Sequence, residues 1–285
     1  MSSLALVTGA ASGIGRAFAL ELAARGWAVL LVDVDAVGLE ATAAACAATA
    51  VHARVVDLTD RHASIEIALA LEEVGEPLAL LVCCAGVLGP GRFGEQPLAA
   101  FARVVEVNLL GTARTIHGAL DALRRARGQI VLLGSTASLH GWPLLSAYSA
   151  SKGAVENLGE ALRAELAADG VGVTTVFPLL VETPMLAQSD LPPILRGGRV
   201  RAETVVARAL RGAARRRRRV YVPFLARLVA LVHGLWPRLL DRWAVRFGVP
   251  RARPALSPPA AARAVASTTP TPPAPPPPRP PRPMA

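Results

Sequence analysis

The chain has 285 residues, 52% of them hydrophobic, and a formal net charge of +10, which suffices for one large α/β domain with a sizeable core plus an appendage. The charge is divided: residues 1–195 hold 12 Lys+Arg against 19 Asp+Glu, and residues 196–285 hold 19 arginines against two acids, Glu203 and Asp241. That division excludes a uniformly basic fold and assigns any anionic partner to the last third of the chain. Residues 3–8 run into a glycine-rich turn without the charged region and cleavage site of a secretory leader, so a cytoplasmic chain is expected. Three cysteines, Cys46, Cys83 and Cys84, are odd in number, with two adjacent in an apolar run. They read as reduced, buried thiols. No metal-ligand spacing occurs.

In chain order, short apolar runs alternate with helical patterns. Strands are predicted at 4–8, 27–32, 52–56, 78–83, 129–133, 171–177 and 220–222. Helices are predicted at 14–25, 37–48, 61–74, 98–123 with a kink, 147–168 and 202–215. Seven near-continuous apolar strands separated by helices predict a doubly wound parallel sheet, Rossmann-like, covered on both faces. Ligands of such sheets sit at the carboxyl ends of the strands.

The segment Thr8-Gly9-Ala10-Ala11-Ser12-Gly13-Ile14-Gly15 follows the first strand and opens the first helix. Its glycines allow a tight turn and close approach of a pyrophosphate to the free N–H groups of the helix N-terminus. Asp33 ends the second strand 18 residues later. A carboxylate there accepts hydrogen bonds from ribose hydroxyls and repels a 2′-phosphate, so NAD is favoured over NADP. No arginine follows it, and Arg16 is the nearby cation that would soften the preference. Asp57, after the third strand, serves either the adenine amino group or a turn. Lys152 is the only lysine, the other 30 basic residues being arginine, and Tyr148, one of two tyrosines, lies four positions before it. On a helix the two share a face. A phenol beside a fixed cation is predicted to have its pKa lowered, as suits a general acid/base.

Further motifs keep the same order. Cys83-Cys84-Ala85-Gly86 follows the fourth strand. Val107-Asn108-Leu109-Leu110-Gly111 lies in the long helix. Gly134-Ser135 precedes Tyr148 by 13 residues, and Pro178 and Thr183 follow the sixth strand. On these motifs, over roughly residues 3–222, the chain resembles a compact short-chain dehydrogenase/reductase. The resemblance implies a catalytic set of Asn108, Ser135, Tyr148 and Lys152. It implies cofactor contacts at Thr8, Gly9, Ser12, Gly13, Ile14, Gly15, Asp33, Asp57, Leu58, Ala85, Gly86, Pro178, Val181 and Thr183, and at Asn108, Tyr148 and Lys152. Tyr148 is then the base that takes the alcohol proton while hydride leaves for the nicotinamide. Lys152 lowers its pKa and binds the nicotinamide ribose. Ser135 orients the substrate oxygen, and Asn108 holds a water that relays protons to Lys152. Two departures stand out: Cys83-Cys84 replaces the family's paired asparagines, and Leu179 replaces the glycine after Pro178. The implied partners are a lipophilic small molecule and further copies of the chain, as a dimer or tetramer through the helices at 98–123 and 147–168.

Substrate contacts are expected at Ser135, Trp142, Leu145, Tyr148, Leu179 and Met185. The surrounding Val87, Leu88, Pro143, Leu144, Leu180 and Leu186 are pocket, core or subunit-contact residues. His140 is a polar wall or an extra acid. The apolar lining predicts a hydrophobic secondary alcohol or ketone. Two alternatives stay open: an NADPH-dependent ketone reductase of lipid or secondary metabolism, and a cofactor-sensing or membrane-docking protein with little turnover.

The catalytic domain is placed at 1–222. Residues 223–253 are apolar and punctuated by arginine, with Arg238, Arg242 and Arg246 in one stripe. They suit an anionic membrane surface, a lid or a subunit contact. The five arginines at 215–219 suit a solvated helix terminus. Residues 254–285, with 13 prolines, are predicted to be disordered or extended. Nucleic acid is not an expected partner, since no aromatic-interleaved basic patch occurs.

Overall fold

The computed structural model describes residues 3–46, 50–187 and 199–247. The proline-rich tail and residues 248–253 lie outside them. Seven strands form one parallel sheet: β1 (Leu4–Thr8), β2 (Ala28–Asp33), β3 (Val51–Val55), β4 (Leu78–Cys83), β5 (Gln129–Leu133), β6 (Gly172–Pro178) and β7 (Arg219–Val222), in the order β3-β2-β1-β4-β5-β6-β7. The helices are α1 (Gly13–Ala24), α2 (Ala36–Ala45), α3 (Ala63–Val74), α4 (Leu98–Val105), α5 (Gly111–Ala126), α6 (Ser146–Glu165), α7 (Pro184–Ala187), α8 (Ala202–Ala214), α9 (Phe224–Leu235) and α10 (Pro237–Phe247). The doubly wound sheet predicted from the apolar runs is present, with described ends shifted by at most three residues, the predicted helix end at 48 lying outside the described residues.

The strands are apolar throughout because both faces are covered. Successive side chains of a strand point to opposite faces, so β1 sends Ala5 and Val7 one way and Leu4 and Leu6 the other. Ala5 and Val7 join Phe18 and Leu22 of α1 and Val205, Val206 and Ala209 of α8. Leu4 and Leu6 join Ile67 and Leu71 of α3, Ile116 and Leu123 of α5 and Val155 of α6. Each fully buried Leu, Ile or Phe in these layers contributes about 1.5–3 kcal/mol relative to exposure.

Winding reverses between β1 and β4, which pair directly: Thr8 lies opposite Cys83. All strands being parallel, Thr8, Asp33, Cys83, Leu133 and Pro178 end at one edge of the sheet. A crevice at such a reversal is where open α/β sheets bind ligands.

The helix predicted at 98–123 is three pieces. Between α4 and α5 the chain widens into a π turn at Glu106–Leu110, which supplies the predicted kink. Residues 223–247 form two helices that pack on β7, on the turn after β5 and on each other.

Candidate active site

The glycine turn is shaped by close approach. Gly9 has φ +68°, and a Cβ there would lie 2.8 Å from Ala85 N. At Gly15 a Cβ would lie 2.0 Å from Gly9 O, so a side chain is excluded at both positions. Thr8 Oγ1 accepts from Cys84 N at 3.2 Å and Ala85 N at 3.4 Å, which ties β1 to the segment after β4. These backbone donors persist although Cys83 and Cys84 replace the family's asparagines. Burial pushes the Cys83 thiol up to about 12 and raises Cys84 as well, so both remain neutral. Ser12 precedes α1 and makes no side-chain cap hydrogen bond. Gly13 faces the Thr183 side chain at 3.3 Å from its would-be Cβ, so the loop after β6 crosses the glycine turn.

Asp33 Oδ2 accepts from Ala11 N at 2.9 Å and Oδ1 from Asp35 N at 3.1 Å. The carboxylate thus braces the turn and retains lone pairs on both oxygens. Arg16 is exposed on α1. Asp57 behaves as a turn carboxylate. Its Oδ1 accepts from Thr59 N (2.9 Å) and Thr59 Oγ1 (2.7 Å), and these bonds hold its pKa below the usual range. Leu58 is buried, and its carbonyl accepts from Arg114 at 3.0 Å. Val181 bridges to Val200, and Thr183 caps α7, its carbonyl accepting from Leu186 N at 3.1 Å.

Asn108 is fully buried in the π turn. Its Oδ1 accepts from Val87 N at 2.7 Å, and its Nδ2 donates to Val87 O and to Ser151 Oγ, both at 3.0 Å. One amide therefore stitches the segment after β4 to α6. Ser135 follows β5, and its Oγ accepts from Ala137 N at 3.1 Å while Ser138 Oγ accepts from Ser135 N. This reciprocal cap fixes the Ser135 rotamer, and the Ser135 side chain is close enough to Tyr148 to lower its pKa. Lys152, 6% exposed, donates from Nζ to Leu133 O at 2.7 Å and lies 5.9 Å from the Tyr148 ring centre. Gly86 faces the same space: a Cβ there would sit 3.1 Å from Asn108 Oδ1 and 3.6 Å from Lys152 Nζ. The structure thus brings Asn108, Ser135, Tyr148 and Lys152 together at the carboxyl edge beside Gly86.

One electrostatic expectation is corrected. The lysine does not draw Tyr148 below its ordinary pKa. Burial raises it, and Ser135 only partly offsets the rise. The Lys152 ammonium is turned onto the Leu133 carbonyl, and its own burial lowers it to about 8. Desolvation disfavours both charged forms.

The expected substrate residues separate. Leu179 is half-buried beside β7, its N–H donating to Val222 O at 2.8 Å, and Met185 is 39% exposed on α7. Leu145 is buried just before α6. Trp142 turns towards the C-terminal helices, edge-on to Trp243 at 5.5 Å and to His140 at 5.3 Å. His140 also meets His233 at 5.4 Å. His140, Trp142 and His233 border a cavity of about 750 Å³ whose wall includes Ser138, Ser149 and Asp241 but neither Ser135 nor Tyr148. His140, whose pKa burial lowers, belongs to this docking cluster. Sequence reasoning missed Ser151, which has no local signal, and Ser138, whose capping-box spacing after Ser135 was readable. It also missed the left-handed Leu144 (φ 66°), whose carbonyl accepts from Gly91 N at 2.8 Å. A non-glycine residue in that region costs about 1–3 kcal/mol and is held only by surrounding contacts.

A parallel sheet reversing at β1/β4, with a glycine turn and a Ser–Tyr–Lys group at its carboxyl edge, defines a nucleotide-dependent oxidoreductase of the Rossmann class. The family model of the short chain dehydrogenases matches residues 3–192, and the chain belongs to that family. It is accordingly an NAD(P)-dependent oxidoreductase of alcohol or ketone substrates. Among curated relatives, 2-dehydro-3-deoxy-L-rhamnonate dehydrogenase (NAD(+)) of Sphingomonas sp. (strain SKA58) is 37% identical over 191 residues, 65% of this chain and 74% of that one. The 2-(R)-hydroxypropyl-CoM dehydrogenase of Xanthobacter autotrophicus is 37% identical, over 65% of this chain and 77% of that one. Among solved structures, a short-chain dehydrogenase from Sphingobium yanoikuyae in complex with NADPH superposes with a TM-score of 0.73 at 27% identity, covering 89% of this chain and 98% of that one. A variant of actinorhodin polyketide ketoreductase with NADPH gives 0.71 at 32% identity, over 78% and 95%.

Proposed function

We propose that this chain transfers a hydride between NAD(H) and a hydrophobic secondary alcohol or its ketone. The observation that carries the reading is Lys152 Nζ 5.9 Å from the Tyr148 ring centre on the side of the crevice where the capped Ser135 lies, with Asn108 anchoring the wall. The residues suit a dinucleotide. The first-turn N–H groups of α1 have no side-chain cap, and Gly86 keeps open the space before Asn108 and Lys152. The nicotinamide supplies the two-electron hydride acceptor or donor. Tyr148 accepts the alcohol proton in oxidation and returns it in reduction. Ser135 donates to the substrate oxygen, fixed by its cap so that little reorganisation is needed. Lys152 supplies the ammonium that binds the nicotinamide ribose, and Asn108 orders the path between Lys152 and solvent. Asp33 favours NAD, because its carboxylate at the end of β2 meets a ribose hydroxyl better than a phosphate. Leu179 and the exposed Met185 beside the crevice support a lipophilic substrate.

A second reading, NADPH-dependent ketone reduction, is favoured by one observation. Burial keeps Tyr148 protonated at neutral pH, the form that donates to a carbonyl oxygen. Absorbance of the reduced nicotinamide decides both questions. Purified protein is incubated with NAD and lipophilic secondary alcohols, or with NADH or NADPH and the matching ketones, beside Tyr148→Phe. Turnover lost in the variant, with NAD(H) preferred, supports the first reading. Equal turnover in the variant overturns the assignment.

A further inference from the structure

We propose that the outward face of α9 and the arginine-ringed cavity at its start form a seat for an anionic phospholipid bilayer surface. The cavity, about 510 Å³, opens between the end of α8, β7 and the first turn of α9. Arg208, Arg211, Arg215, Arg217, Arg219 and Arg227 line it, and among the described residues its wall contains no acidic residue. The arginine run at 215–219 is therefore not a uniformly solvated terminus. Arg216 donates to the carbonyls of Gly170 and Arg127, and Arg218 and Arg219 pair with glutamates of α6. Arg208, Arg215, Arg217 and Arg227 form no ion pair among the described residues. Four guanidinium groups gathered without a carboxylate create a positive potential that the fold does not use internally.

The apolar half of the seat begins inside the same cavity. Phe224 lines it and is 70% exposed. From there Leu228, Leu231 and Leu235 continue at spacings of four, three and four residues, one stripe of a helix, each about half exposed or more. Leu225 and Trp236 widen the stripe, and Arg227 stands at its edge while lining the cavity. The opposite face of α9 is held down: Ala226 is fully buried and His233 packs on His140. The stripe is therefore the outer face.

Among the described residues no helix is long and apolar enough to cross a membrane. An exposed leucine stripe bordered by unpaired arginines matches a bilayer interface, apolar side into the acyl boundary and guanidinium groups on the phosphates. A two-fold contact between copies would carry both arginine clusters into one interface without acids to meet them. Nucleic acid would leave the leucines in water. The seat does not depend on the redox reading. It adjoins the reaction because α9 and α10 also hold the segment between Ser135 and Tyr148 through His233 and Trp243.

The test is co-sedimentation of the full chain with vesicles of phosphatidylcholine alone or with about 30% phosphatidylglycerol, at about 0.15 M salt. Binding is expected to the anionic vesicles only and to weaken as salt rises. Arg208→Gln, Arg217→Gln and Arg227→Gln should each lower the partition coefficient roughly fivefold. The pair Leu228→Ser with Leu231→Ser should abolish binding, with unchanged circular dichroism and unchanged turnover of a water-soluble alcohol. Equal binding to neutral and anionic vesicles, no binding to either, or undiminished binding by the double leucine variant overturns the proposal. So does light scattering that shows a dimer of the natural chain reduced to monomer by the leucine pair, since the stripe would then join two copies. Loss of turnover in Tyr148→Phe with intact vesicle binding, or the reverse in the leucine pair, tells failure of one reading from failure of the other.

Discussion

At the carboxyl edge of the sheet, polar side chains are buried and satisfied. Asn108 spends its whole amide on Val87 and Ser151, Ser135 is held by a reciprocal cap, and Lys152 donates to Leu133 O. On α9 and around it the pattern is reversed: Phe224, Leu228 and Leu235 are exposed beside Arg208, Arg215, Arg217 and Arg227, which form no ion pair among the described residues. The first region is costly to desolvate and gains geometry, as a site that must hold reacting groups in register requires. The second leaves its groups available to something outside the chain. Substitutions in the first should change chemistry, and substitutions of the exposed groups in the second should leave chemistry and fold alone and change what the chain binds.

Tyr148→Phe is the largest expected effect. Turnover should fall about 10³-fold, within the range for losing a general acid/base, while NAD affinity by fluorescence titration and Tm stay near those of the natural chain. The pH dependence has a defined sign. Burial raises the Tyr148 pKa, so the phenolate fraction is small at pH 7 and grows with pH. Alcohol oxidation should climb steadily above neutrality, and ketone reduction should hold level until pH nears the raised tyrosine pKa. An oxidation rate flat from pH 7 to about 10 would remove the tyrosine as the titrating base.

Arg219→Met tests the boundary between the two regions, where an arginine of the cavity is bound into the fold, and should change stability and not chemistry. Arg219 Nη2 lies 2.7 Å from Glu156 Oε1, with the glutamate side chain only 10% exposed and the arginine 37%. Removing one partner of a fully buried pair costs about 3–5 kcal/mol. Partial exposure of the arginine reduces that to about 2 kcal/mol, to be read by urea unfolding at pH 7.5. Burial already raises Glu156, with Arg219 opposing the rise. A raised carboxyl stabilises the fold fully below its ordinary value and loses that contribution as pH rises through its folded value. Without Arg219 the rise is larger, so the deficit should shrink on acidification towards pH 4.5.

Asp33→Ser sharpens the cofactor question. Loss of the carboxylate should shift the ratio of NAD to NADP kcat/KM towards NADP by about tenfold, a modest repulsion at the effective dielectric of a partly exposed site. Unchanged selectivity would transfer the preference to other residues, Arg16 first. The smallest effect is expected at Trp243→Ala. Loss of the edge contact with Trp142 should cost about 1 kcal/mol, seen as faster hydrogen exchange in α10, with turnover within about twofold.

The strands were legible because both faces of this sheet are covered, which leaves runs such as Leu4–Thr8 without polar interruption. The glycine turn was legible because backbone contact at Gly9 and Gly15 admits no other residue. The pairing of Tyr148 with Lys152 followed from helical periodicity, and a kink within 98–123 from the length of the pattern, its place at Glu106–Leu110 being set by the structure. Local spacing fixes these features, so one dimension suffices to read them. Burial and long-range partners were decided only in three dimensions. Desolvation, a property of everything packed around a group, reversed the expected Tyr148 shift. Ser151, 43 residues from Asn108, became its partner through the fold. Trp142 meets Trp243 across a contact between distant segments that no local spacing announces. The arginines at 215–219 look alike in sequence, and only the positions of α6, Gly170 and α9 separate those that bind the fold from those that face outward. Sequence periodicity sets which face a side chain takes, and tertiary packing sets what that face meets.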